Sequence, residues 1–394
     1  MTAGATDDVV YLDHNATTPV APEVLEAMLP YLRTAYGNPS SDHPIGRAAR
    51  RAVEEARAQV AALIGATPDE IVFTSGGTES SNLAIFGTAA TVPAERRRIV
   101  TSSVEHPATA SPCGRLEANG WTVTRVPVTR AGLLDAPSAT AALSGDVALC
   151  TMLFAQNETG ALLPLADLAP AAHEAGAIVH ADAAQAIGKV PVSVEDVGVD
   201  LCSVAGHKVY APKGVGALYV RRGTPLSPVL VGAGQERGLR PGTENVAGIV
   251  GLGAACELAR AGLALDPARI GALRDELLAA LCAAVPGLVC HTPLDMAIPN
   301  TLYVSFPGVH GADLLAGAPG VAASTGSACH AGEQAPSATL LAMGVAPEVA
   351  LSAVRLSLGR DTTGAEVALA ADRLVAAYHQ AREEHPVSET SKRE

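Results

Sequence analysis

Short apolar runs rich in β-branched residues alternate with helix-period segments through the first two-thirds of the chain. No other feature restricts the fold as much. The runs are Ile71–Thr74, Ile99–Ser102, Val147–Leu153, Ile178–Ala181, Leu201–Val204 and Ala217–Val220. Each is short for a helix and too continuously apolar for a strand with one wet face, so each reads as a strand covered on both sides. Helix-period segments stand between them, among them Arg47–Ile64, closed by Gly65, and Leu165–Ala175, closed by Gly176. Strand, helix and strand in turn predict an α/β domain around a mostly parallel sheet. After about residue 262 the rhythm changes. A long helix over Pro267–Ala284, strands at Thr301–Phe306 and Val354–Leu358 and a last helix over Gly364–Ala381 predict a smaller α+β domain.

Composition excludes several classes. Of 394 residues, 48% are hydrophobic and only 17% charged, so general disorder is excluded. The formal charge, 27 − 40 = −13, is not the footprint of a nucleic-acid binder. The one compact basic run, Arg96–Arg98, reads as a solvated turn. Met1–Asp8 has neither the basic nor the apolar region of a signal peptide. The longest uncharged stretches, such as Leu277–Cys290 and Leu314–Gly332, fall short of a membrane span. Seven cysteines without a CxxC pair argue against a disulfide framework or a zinc site and for a reducing, cytoplasmic setting. Six of the seven read as small buried hydrophobes. Neither nucleic acid, membrane nor metal is expected as a partner.

In open α/β sheets, ligands sit beyond the carboxyl ends of the strands. Five successive strand ends carry polar chemistry: Ser75-Gly76-Gly77-Thr78-Glu79, Glu105-His106, Gln156-Asn157, Asp182 with Gln185, and Gly206-His207-Lys208. The glycine pair before a helix is either a tight turn or a cradle for one phosphate, since it lacks the spacing of a nucleotide P-loop. Lys208 is either a surface charge or the amine that pyridoxal 5'-phosphate (PLP) requires. Asp182 suits either a helix cap or the partner of a protonated pyridine nitrogen. His106 could stack on a ring and move protons. Cys329 lies in Ser324-Thr325-Gly326-Ser327-Ala328-Cys329-His330-Ala331-Gly332, small uncharged neighbours that suit a mobile, exposed loop and a reactive thiol.

Taken together, these residues resemble the NifS/IscS-like cysteine desulfurases of the class-V aminotransferase fold. Tyr11-Leu12-Asp13-His14-Asn15-Ala16-Thr17-Thr18-Pro19, Gly37-Asn38-Pro39-Ser40-Ser41 and Phe73-Thr74-Ser75-Gly76-Gly77-Thr78-Glu79-Ser80 are similar to motifs of that family. So are Glu105-His106, Asn157-Glu158-Thr159-Gly160, His180-Ala181-Asp182-Ala183-Ala184-Gln185 and Gly206-His207-Lys208. Arg240-Pro241-Gly242-Thr243-Glu244-Asn245, Ser327-Ala328-Cys329 and Arg355-Leu356-Ser357-Leu358-Gly359-Arg360 complete the series, which runs in family order from residue 10 to about 380.

The resemblance implies a fold-type I, aspartate-aminotransferase-like PLP enzyme working as a homodimer. Residues 16–261 would form the large PLP-binding domain. Residues 9–15 and 262–382 would form the small domain carrying the cysteine loop, and 1–8 and 383–394 would be disordered. Lys208 would hold PLP and transfer protons, Asp182 would bind the ring nitrogen, Gln185 the ring oxygen, and His106 would stack on the ring. Gly77, Thr78 and His207 would hold the phosphate, with Thr243 reaching in from the partner subunit. Asn157 and Arg355, assisted by Asn15, would hold the carboxylate of L-cysteine. Cys329 would take the sulfur as a persulfide, leaving L-alanine, and pass it to an acceptor protein: an iron–sulfur cluster assembly scaffold, a tRNA thiolation protein, a DNA-modification partner or a biosynthetic sulfur carrier. One departure stands out: Ala205 occupies a position where the family commonly has Ser, and Ser203 lies two residues too early to replace it. The same resemblance leaves a selenocysteine lyase or a catalytically silent scaffold as alternatives.

Overall fold

A computed structural model describes residues 9–326 and 335–384 of the chain. Its strands are β1 (Val10–Tyr11), β2 (Ile71–Thr74), β3 (Arg98–Ser102), β4 (Thr122–Val126), β5 (Val147–Leu153), β6 (Ile178–Asp182), β7 (Leu201–Ala205), β8 (Gly216–Val220), β9 (Val289–Cys290), β10 (Thr301–Ser305), β11 (Val321–Ala322) and β12 (Ala353–Ser357). The main sheet has the order β2-β8-β7-β6-β5-β3-β4. Its members pair in parallel except β8, which runs against both of its neighbours. The reversal has a simple cause. The connection Gly206–Val215 between β7 and β8 is too short to hold the crossover helix that a parallel neighbour needs.

The apolar runs of the sequence coincide with β2, β3 and β5–β8 to within a residue or two. Strand β4 escapes that reading. At the sheet edge, Thr-Val-Thr-Arg-Val is mostly half-exposed or exposed and makes no apolar run. Helices cover the sheet, and Val60, Ile64, Phe73, Met152, Val179, Val204 and Leu252 share one continuous core with it. This core supplies the rigid frame on which the strand ends stand.

A second core forms around the antiparallel sheet β12-β10-β9 and the long helices Asp266–Ala284 and Gly364–Glu384. Val10 and Leu12 from the start of the chain are buried in it beside Leu302, Leu356 and Leu374. Strand β1 pairs in parallel with β11 there.

Three expectations need correction. The last helix continues through Glu384, so residues 383 and 384 are helical rather than disordered. Cys282, on the long helix Asp266–Ala284, and Cys290, in the short strand β9, are exposed; the buried cysteines among the described residues are 113, 150, 202 and 256. Arg96 is not a solvated turn residue, because its guanidinium donates to the carbonyls of Ala175 (3.1 Å) and Gly176 (2.6 Å) where the helix Leu165–Glu174 ends and leaves carbonyls unpaired. No single helix among the described residues is long and apolar enough to cross a membrane.

Candidate active site

The carboxyl ends of β2, β3, β5, β6 and β7 open into one cavity of about 620 Å³. At one end, β2 turns through Ser75 and Gly76 into the helix Gly77–Ala89, which has no side-chain cap. Its first N–H groups therefore lack intrahelical acceptors and carry the positive end of the helix dipole. A side chain at Gly77 would put its Cβ 3.1 Å from that of Ala205, so anything larger than glycine would crowd this turn against the end of β7. His207 lies beside it, with Nδ1 3.2 Å from Thr17 Oγ1. Burial, with Lys208 and Lys213 nearby, pushes its pKa down to about 4, and it is a neutral imidazole. Ser203 is committed deeper in the sheet, to Ser81 (3.2 Å) and His180 (2.9 Å), and does not replace a hydroxyl at Ala205.

Asp182 ends β6 at the other side of the cavity, 3% exposed. Its Oδ1 accepts the Ala184 N–H at 3.1 Å. Burial raises its pKa, while that hydrogen bond and the neighbouring His106 and Lys208 pull it back. A cation placed against it would relieve this strain. His106 caps the helix Pro107–Glu117, its Nδ1 accepting the Ala108 N–H at 3.1 Å. Nδ1 therefore carries the lone pair and Nε2 the proton, which makes the ring neutral; desolvation lowers its pKa in the same sense, against the pull of Asp182.

Lys208 lies between these ends in the turn after β7. Its Nζ donates to the carbonyls of Asn15 and Ala16. Burial, then the Arg355 charge, pushes its pKa down to about 8, against the opposing pull of Asp13 and Asp182. Arg355, on β12 of the second core, donates through Nη2 to Asp13 (2.8 Å) and through Nη1 to the Asn157 carbonyl (3.0 Å). Its buried Nε has no partner among the described residues. Asn157 lines the same cavity. A carboxylate is the ligand that would satisfy this donor set.

Gln185 donates to the Asn15 carbonyl (2.9 Å) and accepts from Lys189 Nζ (2.6 Å). One N–H of its amide remains for a ligand. Asn15 lines the cavity, but its amide is fully used: it donates to Thr301 and Asn157 and accepts from Lys189 and Asn300. Thr243 is exposed and does not line the cavity on this chain. Cys329 lies outside the described residues.

Lys189 and Asp13 were not singled out from the sequence. A signal for Lys189 was present, since three of the chain's four lysines, 189, 208 and 213, cluster within one stretch. The donor set as a whole fits PLP. An anion cradle stands at Gly77–Thr78, a carboxylate for the ring nitrogen at Asp182, a spare amide N–H at Gln185, and an amine of lowered pKa between them.

Residues 10–369 match the family model Aminotransferase class-V. A cysteine desulfurase of Trichormus azollae is 46% identical over 361 residues, 91% of this chain and 90% of that protein. A cysteine desulfurase IscS of Anaeromyxobacter dehalogenans is 45% identical over 386 residues, covering 97% and 96% of the two chains. Among solved structures, a NifS-like protein superposes with a TM-score of 0.89 at 37% identity, over 94% of this chain and 100% of that one.

Proposed function

The chain belongs to the class-V aminotransferase family, and we infer that it is a PLP-dependent cysteine desulfurase, converting L-cysteine to L-alanine and a persulfide on Cys329. The observation that carries the reading is the Nε of Arg355, without a partner among the described residues, in the same cavity as Lys208, a carboxylate clamp beside a low-pKa amine.

PLP, when bound, supplies the electron sink that labilises the bonds to the substrate Cα and Cβ. The protein does the rest. Gly77, Thr78 and His207 would hold the phosphate, Asp182 would keep the ring nitrogen protonated, and Gln185 would donate to the ring oxygen. His106 would face the ring as a neutral imidazole with Nε2 as its donor. Because His106 Nδ1 is engaged with Ala108, proton movement near neutral pH falls to Lys208 Nζ. Arg355 and the Asn157 amide orient the substrate carboxylate; Asn15 acts behind them, through its bonds to Thr301 and Lys189.

The Cys329 thiolate then attacks the substrate sulfur. The S–S bond forms as Cβ–S breaks, the electron pair stays with the carbon fragment, and protonation of that fragment yields alanine. A reducing compartment such as the cytoplasm keeps the thiol available.

The protein is proposed to act as a homodimer. In support, Val229, Leu230 and Val231 form an exposed apolar run, with Val231 95% exposed, and Leu32 and Tyr36 are exposed at 62% and 77%. Thr243 of one subunit would then complete the phosphate site of the other. The acceptor is proposed to be a protein of iron–sulfur cluster assembly.

The test is the release of alanine and sulfide from L-cysteine under a reducing thiol. Equal yields, abolished by Cys329→Ser, are expected. Selenide from selenocysteine without sulfide from cysteine would overturn the substrate assignment.

A further inference from the structure

Glu158, next to Asn157, has no part in the reading above, yet its carboxylate is buried and accepts from side chains far away in sequence. Its Oε1 accepts from Thr339 Oγ1 at 2.6 Å. Its Oε2 accepts from Ser337 Oγ at 2.5 Å and lies 3.3 Å from the Tyr303 hydroxyl. That hydroxyl donates at shorter range, 2.9 Å, to the Thr325 carbonyl. Gln156, two residues before Glu158, also donates to Thr339, at 3.0 Å. Gly326 lies against the same pair. A Cβ there would come within 2.7 Å of the Tyr303 oxygen and 2.9 Å of Glu158 Oε2, and its φ of +84° is in the region that favours glycine.

These contacts have a common consequence. Thr325 and Gly326 precede the stretch holding Cys329, and Ser337 and Thr339 follow it. The Glu158 carboxylate therefore holds the chain after the cysteine, and Tyr303, packed beside it, holds the chain before it. The connection to the substrate site is equally short. Asn157 adjoins Glu158 in sequence, and Ser324 exchanges backbone hydrogen bonds with Arg355, 2.6 and 3.3 Å.

Resting on the desulfurase reading, we propose that Glu158 is a positioning residue for sulfur transfer: with Tyr303 it anchors both flanks of the Cys329 segment to the Asn157–Arg355 carboxylate clamp. Without the carboxylate, the Ser337 and Thr339 hydroxyls would lose the acceptor they share beside Tyr303. Glu158 acts on the thiol's approach and leaves PLP binding and substrate binding to other residues.

The test separates these stages in single-turnover reactions of the PLP-loaded protein. Absorbance of the bound cofactor reports its retention and the cysteine concentration at half-saturation. Quenched alkylation with mass spectrometry reports persulfide on Cys329. Glu158→Gln and the milder, isosteric Thr339→Val are compared with the unmodified protein. Glu158→Gln is expected to keep the cofactor and half-saturate within about twofold, while persulfide forms at least tenfold more slowly. Thr339→Val is expected to move in the same direction by a smaller factor.

Persulfide formation at the unmodified rate in both variants would overturn the proposal. So would loss of cofactor binding in step with persulfide in both, which marks a merely structural residue. If the unmodified protein forms no persulfide from cysteine, the desulfurase reading itself fails and this proposal with it.

Discussion

The depressed pKa of Lys208 can be read directly, without bound cofactor. Burial and Arg355 lower it from 10.5 to about 8. At pH 7 roughly 9% of such an amine is neutral, against about 0.03% of an ordinary lysine, a gain of about 300-fold in the nucleophilic form. Trace acetylation of cofactor-free protein across pH 6.5–10.5, with mass spectrometry of the Lys208 peptide, measures that fraction. In the folded protein reactivity should level off near pH 8. In denatured protein it should still climb toward 10.5.

Arg355→Met supplies the second arm. It removes the repelling guanidinium and frees the Asp13 charge from its 2.8 Å ion pair, and both changes raise the Lys208 pKa. The linkage sign follows. Lys208 is protonated in both states below about pH 8, so its burial cost is then fully present, and it fades as pH rises from 8 toward 10.5. A folded-state inflection at the ordinary lysine value would refute the reasoning. So would an inflection in Arg355→Met that stays put or falls.

Three further outcomes are expected. Ala205→Ser places a hydroxyl beside the uncapped turn at Gly77; one added hydrogen bond of about 1 kcal/mol should tighten PLP retention about fivefold, read as a dissociation constant. Arg57→Met leaves Glu236, whose side chain is 3% exposed, without its paired 2.8 Å contacts, and should cost about 3–5 kcal/mol in denaturant unfolding. A loss below 1 kcal/mol would show that Glu236 finds another partner or water. Glu105 has its pKa pushed up to about 8 by burial, so it is protonated in the folded state while the unfolded chain ionises from about pH 4.5. Its contribution to stability should fall as pH rises from 4.5 to 8, and Glu105→Gln should remove that slope while preserving activity at pH 7.

What the sequence disclosed and what it hid divide along physical lines. Buried strands are continuous apolar runs, so β5 and β7 could be read from composition alone, and the polar residues after them had to stand at the sheet's carboxyl edge. Edge strand β4 carries no such signature. Cys282 and Cys290 were misread because a small apolar residue says nothing about which face it occupies. Lys189 and Glu158 were missed for another reason. Each acts through side chains far away in sequence (Asn15 for Lys189, Tyr303 and Ser337 for Glu158), and such partners become neighbours only once both cores are packed. Thr243 is the converse case. A motif singled it out, and this chain alone places it on the surface.

The two cores meet through the segment Val10–Thr18. Val10 and Leu12 anchor it in the second core, and Asp13 holds Arg355 there. A few residues on, the carbonyls of Asn15 and Ala16 receive Lys208, and that of Asn15 also receives Gln185, both from the main-sheet domain. Thr18 accepts the Tyr210 N–H at 2.9 Å and donates to the His207 carbonyl at 3.1 Å, so the turn carrying the lysine is fixed from the same side. Lys208 and Arg355 thus sit on different cores, yet both are registered to a few consecutive peptide units. A displacement of one core against the other would have to break these bonds before it could separate Lys208 from Arg355. That arrangement explains why residues so near the start of the chain line the cavity, although the strand ends themselves begin only at residue 74.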